Sequence, residues 1–303
     1  MTSTIEVSDL TKTYGENRAV DGVSFSVDAG EVFAILGPNG AGKSTTVEIL
    51  EGHRTRDGGS VTVLGADPAN GGRAFRDRIG IVLQEAGVDK ELTVRETLDL
   101  YGAAYSKRRS IDEVIELVEL ADKLDERISR LSGGQQRRVD LALGIIGTPD
   151  LLFLDEPTTG FDPAARRRSW DLVRSLTDDG TTVVLTTHYL DEAQELADRL
   201  IVMAGGRIVA AGTPDELRAQ AGSQTVIRFG LPKVDAPLGG LLDPLHGDAS
   251  GRDRHIEIAT SRPTADLAHI TTWAVDHGLE LDGLRVESVT LEDVYLRLVG
   301  EEA

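Results

Sequence analysis

The eight residues Gly37-Pro38-Asn39-Gly40-Ala41-Gly42-Lys43-Ser44 have the types and spacing that cradle a polyphosphate. Glycines let successive backbone N–H groups turn inward around phosphate oxygens, and a helix starting behind them adds a favourable dipole. Lys43 offers a point charge to the outer phosphates, and the Ser44 hydroxyl is placed to bind Mg²⁺. The pattern counts only between a strand and a helix. Before it, Glu31-Val32-Phe33-Ala34-Ile35-Leu36 reads as a buried strand; after it, Thr45-Thr46-Val47-Glu48-Ile49-Leu50 continues as a helix. That setting implies a bound nucleoside triphosphate.

Two further segments carry compatible chemistry. Leu151-Leu152-Phe153-Leu154-Asp155-Glu156 is an apolar strand that ends in two carboxylates. Beside a phosphate-binding loop, the first acid supports Mg²⁺ and the second can polarise an attacking water as a general base. About twenty residues upstream runs Leu131-Ser132-Gly133-Gly134-Gln135-Gln136-Arg137-Arg138. Ser132, Gly133 and Gly134 can open a helix reaching about Ile146, with free N–H groups and a hydroxyl at its start. One chain thus holds two phosphate-binding devices.

With these motifs in order, the chain resembles the ATP-binding cassette (ABC) family over about residues 4–220. Gln84 follows a strand expected over 79–83, at the position of the Q-loop glutamine. Asp162 in Gly160-Phe161-Asp162-Pro163 matches the D-loop, and His188 after the strand at 182–187 matches the switch histidine. Tyr14 falls where the family places an aromatic ring on adenine. Phe161 stands where the family usually carries leucine, which affects packing around the D-loop more than chemistry. The resemblance implies ATP and Mg²⁺ as cofactors, with Ser44, Gln84 and Asp155 around the metal and Glu156, His188 and Gln84 in catalysis. It also implies a head-to-tail homodimer. In that dimer Tyr14, Gly37, Pro38, Asn39, Gly40, Ala41, Gly42, Lys43, Ser44 and Thr45 of one chain face Ser132, Gly133, Gly134 and Gln135 of the other across ATP.

The elements that position these residues follow from hydropathy patterning. Strands are expected over 4–7, 19–27, 32–36, 60–64, 79–83, 151–154, 182–186 and 199–203, with a turn at Gly205-Gly206 into a hairpin strand over 207–210. Residues 88–131 have helical spacing, with Ile111, Val114, Ile115, Val118 and Leu120 forming an apolar stripe that reads as core. The expected fold is α/β: a P-loop NTPase of the ABC type over 1–221 with a helical subdomain inserted at about 88–131, and a small α+β accessory domain over 222–303. In the latter, strands are expected over 225–229, 255–259 and 284–287, and helices over 264–276 and 291–298, with a loop-rich stretch over 230–251.

Bulk properties narrow the function. The formal net charge of −19 and 4% aromatic content disfavour a nucleic-acid partner. The basic runs Lys107-Arg108-Arg109, Arg137-Arg138 and Arg166-Arg167-Arg168 read as solvated faces. There is no cysteine, no signal-peptide pattern and no apolar run of the ~18–20 residues needed to span a bilayer. A transporter built on this chain therefore needs a separate polytopic permease, which would hold it at the cytoplasmic face of the cell membrane. The terminal segment Glu287-Ser288-Val289-Thr290-Leu291-Glu292-Asp293-Val294-Tyr295-Leu296-Arg297-Leu298-Val299-Gly300 resembles that of ATPase subunits of ABC-2-type daunorubicin and multidrug exporters. The competing class is a soluble ABC ATPase acting on nucleic acid or the ribosome. Dimer stabilisation, regulation and permease docking all stay open for residues 222–303.

Overall fold

The computed structural model describes residues 3–83, 87–220, 225–232, 239–242, 245–246, 248–252, 255–288, 291–293 and 295. Gln84 and half of the helix expected over 291–298 (residues 294 and 296–298) lie outside the described residues.

In chain order the first compact unit, Met1–Pro214, contains β1 (Ser3–Tyr14), β2 (Asn17–Asp28), β3 (Val32–Leu36), α1 (Lys43–Leu50), β4 (Gly58–Val63), α2 (Gly72–Arg76) and β5 (Ile79–Val82). There follow α3 (Val94–Gly102), α4 (Ile111–Leu117), α5 (Gly133–Ile145), β6 (Leu151–Asp155), α6 (Pro163–Asp178), β7 (Thr182–Thr187), α7 (Leu190–Leu196), β8 (Arg199–Ala204) and β9 (Arg207–Gly212). Strands that are apolar at every position need cover on both faces, the condition of a parallel sheet. Every residue of β3 is buried, as are the first four of β6. They lie in a six-stranded sheet of order β5-β6-β7-β3-β8-β9, parallel except for the β8–β9 hairpin. A second, antiparallel sheet of order β2-β1-β4 packs its alternating apolar residues, among them Ile5, Val7, Val23 and Val61, into one core with Phe33, Ile35 and Phe153.

The strand β1 runs to Tyr14, well beyond the expected 4–7. Its distal half, Ser8-Asp9-Leu10-Thr11-Lys12-Thr13, buries only Leu10 fully and is interrupted by register shifts, with Asp9 at φ +50°. Bulges of this kind break the period-2 alternation by which a strand is recognised. The insertion at 88–131 is helical as expected: Val114, Ile115, Val118 and Leu120 are buried, so the stripe is core. Helix α3 starts at a capping box between Thr93 and Glu96, and α4 at Ser110, whose hydroxyl accepts from Glu113 N–H.

The second unit, Asp215–Leu298, holds all of α8 (Pro214–Gln220) but its first residue, then β10 (Thr225–Gly230), α9 (Gly239–Leu242), β11 (Asp248–Arg252), β12 (His255–Thr260), α10 (Pro263–Asp276) and β13 (Asp282–Ser288). Its antiparallel sheet, of order β11-β12-β10-β13, packs Ile227, Phe229, Ile256 and Ile258 against Leu241, Ile270 and Trp273 of the helices. The stretch expected to be loop over 230–251 contains α9 and β11. The sequence Asp248-Ala249-Ser250-Gly251-Arg252 carries no apolar alternation, and as an edge strand it pairs through its backbone with β12.

Candidate functional site

Sheet order explains why residues far apart in sequence meet. In a parallel sheet the carboxyl ends of neighbouring strands form one rim, where ligands bind. Here β6, β7 and β3 are adjacent, with Leu36 beside Thr187 and Asp155 beside Thr186. The loop after β3 leads into Lys43 at the start of α1, the end of β6 carries Asp155 and Glu156, and the residue after β7 is His188. Tyr14, Asn17, Ala19, Asn39, Gly40, Gly42, Lys43, Ser44, Thr45, Asp155, Glu156 and His188 together line a cleft of about 730 Å³.

The loop is built to approach backbone closely. Gly42 has φ +99°, and a Cβ there would stand 2.3 Å from the Ala19 carbonyl oxygen. Only glycine fits both demands. Gly37, Pro38 and Ala41 form the inner part of the loop, with Gly37 and Ala41 buried. Lys43 is 6% exposed, and its Nζ donates to the carbonyls of Gly37 at 2.7 Å and Pro38 at 3.0 Å. Burial lowers its pKa, against the opposing influence of Glu156 and Asp155. Tyr14 stands at the end of β1, with Arg54 Cζ 5.3 Å and Lys12 Nζ 5.6 Å from its ring centre.

Glu156 is held in an unusual conformation. Its φ is +48°, a region that costs a non-glycine residue about 1–3 kcal/mol. Its N–H donates to Thr186 O at 3.1 Å, Oε1 lies 2.9 Å from His188 Nδ1, and Oε2 accepts from the Thr159 hydroxyl at 3.3 Å. The His188 ring also packs on Tyr189, with centres 4.1 Å apart. Asp155 accepts a hydrogen bond from the Thr186 hydroxyl. A carboxylate beside a histidine, in a cleft that also holds a lysine and a hydroxyl, can take a proton from water next to a bound phosphate.

Ser132, Gly133, Gly134 and Gln135 do not line this cleft. Ser132 and Gly133 are exposed, and Ser132 caps α5 reciprocally with Gln135: Gln135 N–H donates to Ser132 Oγ at 3.3 Å and Ser132 N–H to Gln135 Oε1 at 2.9 Å. Asp162 caps α6, accepting from Ala164 and Ala165 N–H at 2.9 and 2.8 Å; these bonds hold its carboxyl below the usual range. The loop glutamine, Gln84, lies outside the described residues; Leu83 before it is exposed.

One residue departs from expectation. The run Arg137-Arg138 reads as a solvated face, yet Arg137 is 8% exposed, and its guanidinium bonds to the carbonyls of Leu83, Asp155, Glu156 and Pro157. Burial lowers its pKa, opposed by Asp140 and then Asp155. A cue was present: Arg137 and Asp140 are three apart, a spacing that places both on one face of a helix.

Strand–glycine loop–helix, the acid pair at the rim and the α/β layers define a P-loop nucleoside triphosphatase. Residues 20–159 match the family model described as ABC transporter, and residues 225–290 match that of the ABC transporter domain-containing protein-like C-terminal domain. Along the whole chain, the daunorubicin/doxorubicin resistance ATP-binding protein DrrA of Streptomyces peucetius is 42% identical over 311 residues, covering 100% of this chain and 94% of DrrA. The Nod factor export ATP-binding protein I of Rhizobium meliloti is 40% identical over 311 residues, covering 98% and 88%. Among solved structures, an ATP binding subunit of an ABC transporter superposes with a TM-score of 0.66 at 30% identity, covering 72% of this chain and 93% of that one. The dimeric post-hydrolysis state of the ATP-binding cassette MJ0796 bound to ADP and Pi does so at 0.64 and 28%, covering 69% and 98%. The chain belongs to the ATP-binding subunits of ABC transporters and is an ATPase.

Proposed function

We propose that this chain is the ATP-hydrolysing subunit of an exporter, working as a homodimer on a separate polytopic membrane permease that moves a drug or other hydrophobic substrate. The observation that carries the reading is a division of labour. Lys43, Ser44, Asp155, Glu156 and His188 share one cleft, whereas the segment 132–135, exposed at Ser132 and Gly133, lies outside it. A phosphate-binding segment that cannot serve its own chain's cleft is suited to close the cleft of a second copy. In this reading Lys43 binds the outer phosphates, Tyr14 stacks on adenine, Glu156 takes the proton of the attacking water, and His188 orients both. Asp162 and Gln84 would line the closing interface and the entry of the water.

Ser44 and Asp155 supply hard oxygen donors within the cleft, a set that suits Mg²⁺. Among the described residues no group of three or more His, Asp or Glu is placed to hold a metal, so nucleotide phosphates would provide most of the remaining ligands. When bound, the ion neutralises charge on the phosphates. The division into a 1–221 cassette and a 222–303 accessory domain belongs to the same proposal.

Among the described residues no helix is long and apolar enough to cross a membrane. A groove of about 510 Å³, lined by Arg76, Leu83, Val88, Tyr101, Tyr105 and Asp140, suits a cytoplasmic segment of the permease. Attachment there would place the chain at the cytoplasmic face of the membrane. The test is affinity capture of tagged Glu156→Gln from detergent-solubilised native cells in ATP and Mg²⁺, followed by mass spectrometry. A stoichiometric polytopic membrane protein is expected. Ribosomal proteins or nucleic acid without a membrane partner would overturn the exporter reading.

A further inference from the structure

Among the described residues the Arg137 guanidinium donates to four backbone carbonyls, and three of them are consecutive. Its Nη2 donates to Asp155 O at 2.7 Å and Glu156 O at 3.0 Å, its Nε to Pro157 O at 3.2 Å, and its Nη1 to Leu83 O. Asp140 Oδ2, one turn further along α5, stands 3.7 Å from Nη1. The planar guanidinium has five donors in a fixed fork, a geometry lysine and glutamine cannot reproduce.

The approach that allows this is itself built in. A Cβ at Gly80 of β5 would lie 2.0 Å from the Gly144 carbonyl oxygen, and a Cβ at Gly144 of α5 would lie 2.5 Å from Val82 Cγ2. The helix backbone therefore rests directly on the strand, and Arg137, in the second turn of α5, reaches the residues at the ends of β5 and β6. The middle carbonyl of the three belongs to Glu156, whose left-handed backbone persists only if its surroundings over-determine it. Thr186 O holds its N–H from the β7 side, and Arg137 holds the carbonyls before, at and after it from the other.

We propose that Arg137 is a positioning residue for Glu156: its guanidinium fixes the backbone over 155–157 so that the carboxylate points into the nucleotide cleft beside His188. The helix that opens with the 132–135 segment thereby sets the carboxylate of its own chain. A buried arginine that only filled space would hold the fold and leave the chemical step alone. The proposal rests on Glu156 as the base, so the two are tested together.

Single-turnover ATP hydrolysis and nucleotide affinity are measured for Arg137→Lys and Arg137→Gln, each alone and combined with Glu156→Gln. A displacement of the carboxylate by about 1 Å costs up to ~100-fold in rate. The expected result is a roughly 10- to 100-fold loss of hydrolysis rate in Arg137→Lys, with ATP dissociation constant within about threefold of wild type. Added to Glu156→Gln, the same change should lower the residual rate by less than about twofold, because two residues acting through one group are non-additive. An unchanged rate in Arg137→Lys, an equal fold-loss in the Glu156→Gln background, or a lysine variant that does not fold would each overturn the proposal. Near-normal hydrolysis by Glu156→Gln alone would instead refute the base assignment, whatever Arg137 does.

Discussion

Replacing Glu51 by glutamine should stabilise the nucleotide-free protein and flatten its dependence on pH. Glu51 directly follows α1 and is 5% exposed; burial first, then the charges of Asp155 and Glu48, raises its carboxyl from 4.5 to about 8. The folded protein therefore keeps a proton that the unfolded chain releases near the ordinary value. By linkage, stability is highest below the unfolded pKa, falls as pH rises above about 4.5, and levels off above about 8. At pH 7 the gap of about 2.5 units, at ~1.36 kcal/mol each, corresponds to a loss of about 3 kcal/mol. Glutamine keeps the shape and has nothing to ionise, and His53 Nδ1, 3.2 Å from Glu51 Oε2, can accept from the amide. Thermal and urea unfolding at about pH 5, 7 and 9 is the assay. The expected gain is about 2–3 kcal/mol at pH 7, shrinking toward zero near pH 5 and largest near pH 9. Wild-type and variant profiles that run parallel across this range would refute a carboxyl held neutral by burial.

Other outcomes follow from the cleft. Lys43→Ala removes charge-assisted hydrogen bonds to phosphate worth about 1.5–3 kcal/mol, so the ATP dissociation constant should rise roughly 10- to 150-fold by isothermal titration calorimetry. An unchanged constant would remove Lys43 from phosphate binding. Gly42→Ala places a Cβ where 2.3 Å separates it from Ala19 O, in a backbone region that L-residues avoid. It should abolish ATP binding while the circular dichroism of the fold persists. Retained affinity in that variant would show that the loop can relax.

Legibility in the sequence followed how local each signal was. The phosphate loop, the acid pair and the helix opened by Ser132 are contiguous motifs, and each lies where strand and helix patterning places it. Strands β3 and β6 announced themselves because burial on both faces demands unbroken apolar runs. The distal half of β1 was hidden because register shifts break its alternation, and the edge strand β11 because backbone pairing needs no apolar alternation. Arg137 was missed for a different reason: a cation is usually solvated, and its carbonyl partners at 83 and 155–157 are assembled only by the β5–β6 pairing and the close seat of α5. Glu156 was found by type and position, but its left-handed backbone is a tertiary property.

The central claim is that two copies close on ATP and that Glu156 performs the hydrolysis that reopens them. Light scattering of purified Glu156→Gln with and without ATP and Mg²⁺, alongside phosphate release, tests both halves in one experiment. A nucleotide-dependent shift from monomer to dimer, with turnover reduced by at least about 100-fold, is the predicted result. A variant that stays monomeric with ATP while hydrolysing at near the wild-type rate would contradict the account.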